Sequence, residues 1–286
     1  MIENMWILPC LFSLLAWGVS SFTPKLMSAR LKPLEIVVYQ YLGQTAFILG
    51  LLVYLRFDIL FDIRGMLLAM CIGVTGMSGQ VLYIQALKQA PLSRLSVVTS
   101  LYPAISIFLA VVFVGENVPL HRLLGAVCAI ASLVVLVSGK ASVSSEKEVP
   151  ARRWMIPAVG ALLLWGFWAF LPKLALQTLP PSSVIVYEFL GSGLVIAWAL
   201  YSLRFQVEKN VDAVKTCTLT SIMGMFAVFS YIYALQTGPV SAVTVITAMY
   251  PLITLFLAWI VLKERLNRRQ MAAAIVALLS IATMVI

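Results

Sequence analysis

Apolar residues in this chain do not alternate with polar ones. They run on in long blocks, broken by short stretches rich in Lys, Arg, Pro and Ser. A helix rises about 1.5 Å per residue and the hydrocarbon layer of a bilayer is about 30 Å thick, so each crossing needs roughly 20 apolar residues. Ten blocks qualify: 5–24, 34–55, 65–84, 92–114 and 119–138, then 154–173, 182–203, 216–235, 240–262 and 268–286. Strands of a membrane barrel would read as alternating segments of about ten residues, whereas these blocks are continuous and rich in Leu and Ala. The pattern predicts an all-α integral membrane protein of ten transmembrane helices.

The blocks fall into two sets of five because the sequence repeats itself. Trp17-Gly18 recurs at Trp165-Gly166, a shift of 148 positions. The same shift carries Pro24-Lys25-Leu26 to Pro172-Lys173-Leu174, Tyr102-Pro103 to Tyr250-Pro251, Tyr39 to Tyr187, Gly43 to Gly191 and Arg56 to Arg204. Two units of one design are therefore expected, 1–138 and 154–286, joined by a solvated linker at 139–153. An odd number of crossings per unit makes the second enter the membrane from the opposite side, so the units are expected to be inverted repeats. Secondary transporters use that construction to expose one midplane site to alternate sides.

Composition agrees with lipid as the solvent: 62% of residues are hydrophobic and only 11% charged, against about 25% charged in soluble domains. The first block lacks a basic leading region and recurs later, which predicts a retained helix over a cleaved signal peptide. The net charge of +9 is carried by short loops, where Lys and Arg meet anionic lipid headgroups, so no nucleic-acid partner is expected. Fifteen of these cations fall in odd-numbered loops or beside them and three, Arg56, Arg64 and Arg122, in even ones, a bias that would put both termini outside. Cys10, Cys71, Cys128 and Cys217 lack metal or redox spacing and are read as free thiols. No metal or cofactor is expected.

Within the spans, the polar and helix-breaking residues are the candidates for function. Pro103 and Pro251 fall near mid-membrane and lack an amide donor, so they deprive the carbonyls of Thr99 and Thr247 of their helical partners. Protein, trapped water or substrate must then satisfy those carbonyls. Tyr102 and Tyr250 precede the prolines, and Tyr83, Gln80, Tyr231, Tyr39, Tyr187, Trp17 and Trp165 complete a candidate cavity lining suited to amphipathic solutes. Gly73, Gly76 and Gly79 are read as close-packing positions on the third helix. Glu188 is the one carboxylate well inside a predicted span, and intramembrane carboxylates are functional by default. Lys173 ends the preceding helix on the same membrane side, so a Lys173/Glu188 pair is a candidate gate, with Lys25 and Gln40 at the opposite one. Glu188 is equally a candidate for proton coupling. Glu116 and Glu264 close their helices beside Arg122 and Arg265 and are read as interfacial caps and ion-pair partners.

Ala86-Leu87, Pro91, Tyr102-Pro103 and Glu116, with Ala234-Leu235, Pro239, Tyr250-Pro251 and Glu264, resemble the EamA-like branch of the drug/metabolite transporter superfamily. The resemblance spans nearly the whole chain. It implies two five-helix units around a central cavity, both termini cytoplasmic, and export of amino acids or other small metabolites. A monomer in a bacterial inner membrane is expected, and no enzymatic activity. The closer alternative is an antiporter for sugar phosphates or nucleotide sugars, with Lys25 and Lys173 holding phosphate. Against that, no basic cluster lies deep in a span. A remote alternative is an intramembrane serine protease, since Gly76-Met77-Ser78-Gly79 matches a short GxSG pattern. It lacks a base, because the chain's single histidine, His121, is predicted at a membrane boundary.

Overall fold

The computed structural model describes residues 5–20, 31–56, 58–89, 95, 98–99, 101–137, 151–207, 210–253, 256 and 268–285. All regular structure among them is helical. The helices are α1 (Ile7–Ser20), α2 (Pro33–Tyr54), α3 (Ile63–Leu87), α4 (Tyr102–Leu109, continuing as a π turn over Ala110–Val114), α5 (Leu120–Val137), α6 (Ala151–Ala175), α7 (Pro181–Ser202), α8 (Val211–Thr237), α9 (Val240–Ala248) and α10 (Arg268–Val285). Five of them, α2, α3, α6, α7 and α8, are long and apolar enough to cross a membrane, and the other five are shorter apolar helices. Helix α6 begins at Ala151, inside the expected linker.

Local sequence explains where several helices begin and end, and the two copies use the same devices. Pro33 and Pro181 open α2 and α7, where a missing amide costs nothing. Asp62 caps α3 by accepting from the Gly65 amide at 2.7 Å. That hydrogen bond, followed by one from Thr178, holds the Asp62 carboxyl below the usual carboxylate range. Both α2 and α7 end at an arginine in the left-handed region, Arg56 at φ 52° and Arg204 at φ 50°. A side chain there costs roughly 1–2 kcal/mol. Arg204→Gly is therefore expected to raise the thermal midpoint of the detergent-purified protein by a few degrees, read by near-ultraviolet circular dichroism against the wild type.

Each proline break matches the other. Around Pro251 the ladder slips to shorter three-residue bonds, Met249 N to Ile246 O at 3.1 Å and Leu252 N to Met249 O at 2.9 Å. Around Pro103 the equivalent bonds are Leu101 N to Val98 O at 3.4 Å and Ala104 N to Leu101 O at 3.0 Å. Proline's missing donor and its clash with the preceding turn account for both.

Packing between the copies is exchanged in pairs. A Cβ added to Gly18 on α1 would strike Ile253 beyond the α9 break, and one added to Gly166 on α6 would strike Ile105 on α4. Gly43 on α2 abuts the Thr218 carbonyl on α8, and Gly191 on α7 abuts the Met70 carbonyl on α3. In each case the second contact is the first with the copies swapped, which is what a two-fold axis produces. Tyr41 and its own counterpart Phe189 stack at 4.6 Å with planes 2° apart, and the Tyr41 hydroxyl donates to the Phe189 carbonyl at 3.3 Å. A residue can touch its own mate only on the axis, so the axis passes between α2 and α7 at this pair.

Because lipid tails are as apolar as leucine, such helices associate through close van der Waals packing, for which small residues at crossings are the means. Many large apolar side chains point outward, as do Leu8, Phe108, Leu278 and Leu279. Among the five long helices α7 is the most enclosed and α2 the least.

Candidate functional site

The interior is assembled from α1, α3, α4, α6, α7, α8 and α9. Its centre is aromatic. Trp17 on α1 meets Tyr231 on α8 with ring centroids 5.5 Å apart and planes at 45°. The swapped pair, Trp165 on α6 and Tyr83 on α3, lies at 5.1 Å and 37°. Tyr102 meets Trp165 edge-on at 6.5 Å, and the Thr247 hydroxyl adjoins the Tyr102 phenol. Trp17, Trp165 and Tyr83 are only partly buried although they face inward, so each keeps some ring surface open.

Glycines make room for the tryptophans. A Cβ on Gly76 or Gly79 would run into the Trp168 or Trp165 indole, respectively. This accounts for the GxSG string around Ser78 as a packing motif, and His121 stands exposed at the start of α5. Gly73, one turn earlier on α3, lies against the Glu188 carbonyl and the Ser192 amide.

Glu188 is 8% exposed. Its Oε1 accepts from Trp168 Nε1 at 2.9 Å, while Oε2 is buried and has no hydrogen-bond partner among the described residues. Trp168 stacks on Tyr231 at 5.3 Å and 14° and tilts against Trp17 at 5.6 Å and 59°. Tyr231 is wholly buried, donating to the Ala169 carbonyl at 2.6 Å and lying 3.2 Å from Thr244 Oγ1.

The expected Lys173/Glu188 pair is not formed. Lys173 Nζ instead donates to the carbonyls of Leu235 and Gly238, both at 2.8 Å. The C-terminus of α8 offers carbonyls that have no helical donor, and a lysine beside them is their natural partner. Glu116 departs from its expected partners as well. It reaches across to α9, where Oε2 accepts the Val240 amide at 2.8 Å and Oε1 accepts the Ser241 amide at 3.1 Å and the Ser241 hydroxyl. The carboxylate thus occupies the positive end of α9. Among the described residues Arg122 Nε is buried without a hydrogen-bond partner, and the one ion pair is Lys32 with Glu35 at 4.0 Å.

Of the residues singled out from sequence, Trp17, Trp165, Tyr83, Tyr231, Tyr102, Thr247 and Glu188 converge on this interior. Gln80 pairs with Gln40 at 3.4 Å on α3 and α2. Tyr187 spends its hydroxyl on the Leu60 carbonyl at 3.3 Å and Tyr39 is buried on α2, so these two belong to helix packing. Thr99 bonds back to Leu95 at 3.1 Å. Pro103, Tyr250 and Pro251 sit at the two breaks, and Lys25 and Glu264 lie outside the described residues. Sequence reasoning missed Trp168. Its signal was a difference between the copies: the equivalent position in the first is Ser20, as the equivalent of Glu188 is Gln40.

A model of the EamA-like transporter family matches the chain twice, over residues 4–138 and 152–286. The chain belongs to the EamA-like transporter family. It is an integral, multi-pass membrane protein and a transporter of small solutes. Among solved structures, one titled "Crystal structure of protein" is similar with a TM-score of 0.80 and 14% sequence identity, covering 98% of this chain and 96% of its own. That likeness places this EamA-like chain in the same fold. A comparison with curated proteins gives no match.

Proposed function

We propose that this EamA-like protein is a secondary carrier that exports amino acids or similar amphipathic metabolites by alternating access. In this reading all ten helices cross a bacterial inner membrane, the two-fold axis lies in the membrane plane, and a single chain is the working unit. The observation that carries it is the exchanged aromatic pair, Trp17 with Tyr231 and Trp165 with Tyr83. Each pair joins the two copies, keeps ring surface open inside the bundle, and becomes the other when the copies trade conformations. Glu188 is the proposed coupling residue, held in place by the Trp168 indole N–H.

Counterflow in proteoliposomes, with labelled amino acids, sugars and phosphate esters, tests this. Uptake of one class by the wild type and at least a tenfold loss in Tyr250→Ala are expected. No counterflow of any solute by folded protein would sink the carrier reading. Full transport with unchanged pH dependence in Glu188→Gln would remove the coupling role alone.

A further inference from the structure

Around Glu188 the two copies differ in chemistry. The first copy offers a serine and an amide, Ser20 and Gln40, where the second offers an indole and a carboxylate, Trp168 and Glu188. Here the two-fold scaffold is asymmetric, and the indole faces and the carboxylate favour positive charge. Trp17, Trp168 and Tyr231 lie with centroids 5.3–5.6 Å apart. The negative faces of their π systems attract cations, most strongly for tryptophan and where water is excluded. Trp168 binds one carboxylate oxygen edge-on through its N–H, leaving the other, Oε2, buried and without a hydrogen-bond partner among the described residues. An isolated carboxylate in low dielectric needs a positive partner.

We propose that this place is the recognition site for the charged head of an organic cation, a primary amine or quaternary ammonium. The head lies between Glu188 Oε2 and the open surface of Trp17 and Trp168. The assignment rests on the carrier reading above and narrows its solutes from zwitterionic amino acids to amphipathic amines. A net cation fits better than a zwitterion, because Lys173, at the end of the helix that carries Trp168, has its ammonium turned to the Leu235 and Gly238 carbonyls and away from any substrate carboxylate. The rings already touch one another and Oε2 is enclosed, so the structure shows the site shut. Entry requires Glu188 or Trp168 to swing aside; Trp17 and Trp168 are themselves partly exposed.

The test titrates benzylammonium against benzyl alcohol, two ligands of similar shape that differ in charge, into the detergent-purified full chain, with tryptophan fluorescence and calorimetry as readouts. Benzylammonium is expected to bind at least tenfold more tightly than the alcohol, and Glu188→Gln to erase that preference. Should Glu188→Gln fail to fold, Trp17→Leu serves: it is expected to weaken the ammonium several-fold and the alcohol little. Equal binding of the two ligands, binding of neither, or a preference untouched by both variants overturns the proposal. Counterflow separates it from the carrier reading. Transport of neutral solutes without ammonium preference refutes the cation site and keeps the carrier, whereas Glu188-dependent ammonium binding without any counterflow does the reverse.

Discussion

Alanine at Gly73 is expected to lower the thermal midpoint of the purified protein by several degrees and to abolish transport, while alanine at Gly224 leaves transport unchanged and the midpoint no lower. The added Cβ at Gly73 would land on the Glu188 carbonyl and the Ser192 amide. Both obstacles are backbone, so no rotamer relieves the overlap and α3 and α7 must separate. Overpacking of that kind costs typically 1–3 kcal/mol, occasionally more. It also displaces the segment that carries Glu188. At Gly224 a Cβ meets nothing within 4 Å, and alanine is favoured over glycine in a helix by about 1 kcal/mol. Gly224 is the repeat mate of Gly76, whose Cβ would strike Trp168. Equal sensitivity at Gly73 and Gly224, measured by melting curves and counterflow, would show that the α3–α7 crossing is not the constraint described.

Glu116→Ala is expected to open the end of the bundle where α8 turns into α9. Glu116 accepts the Val240 and Ser241 amides at the start of α9 and the Ser241 hydroxyl, and a hydrogen bond to a charged group contributes roughly 1.5–3 kcal/mol. Cys10 is a built-in reporter of that end, being wholly buried with its thiol 3.8 Å from the Val243 carbonyl. With Cys71, Cys128 and Cys217 replaced by alanine, Cys10 should resist a water-soluble maleimide in the parent and react at least tenfold faster in Glu116→Ala. An unreactive Cys10 together with an unchanged melting point would mean that the cap does not hold this end closed.

Each apolar block of the sequence overlaps a described helix, because span length and hydrophobicity are properties of the chain itself. The proline breaks were legible for the same reason, since a missing amide acts on its own helix. Contacts between the copies were not. Glu116 was recognisable as a cap but not as the cap of α9, and the target of Lys173 could not be read because the carbonyls of Leu235 and Gly238 become available only once α8 ends. Trp168 was overlooked for another reason. Matching the copies draws the eye to what they share, Trp165 and Tyr231 among them, whereas the carboxylate and its indole lie where they diverge.

The stacked pair of Tyr41 and Phe189 has a consequence for the transport cycle. If one end state is reached from the other by the copies trading shapes, the distance between any residue and its own mate is the same in both, since trading merely relabels its two ends. Tyr41 and Phe189 then form a fulcrum about which the two halves rock. Distances between non-mates trade values instead: Trp17 to Tyr231, now 5.5 Å, would become the 5.1 Å now separating Tyr83 from Trp165. That change is only a few tenths of an ångström. The aromatic wall therefore moves as a nearly rigid hub, and the large displacements of the cycle fall at the helix ends, where Glu116 and Lys173 hold one mouth shut.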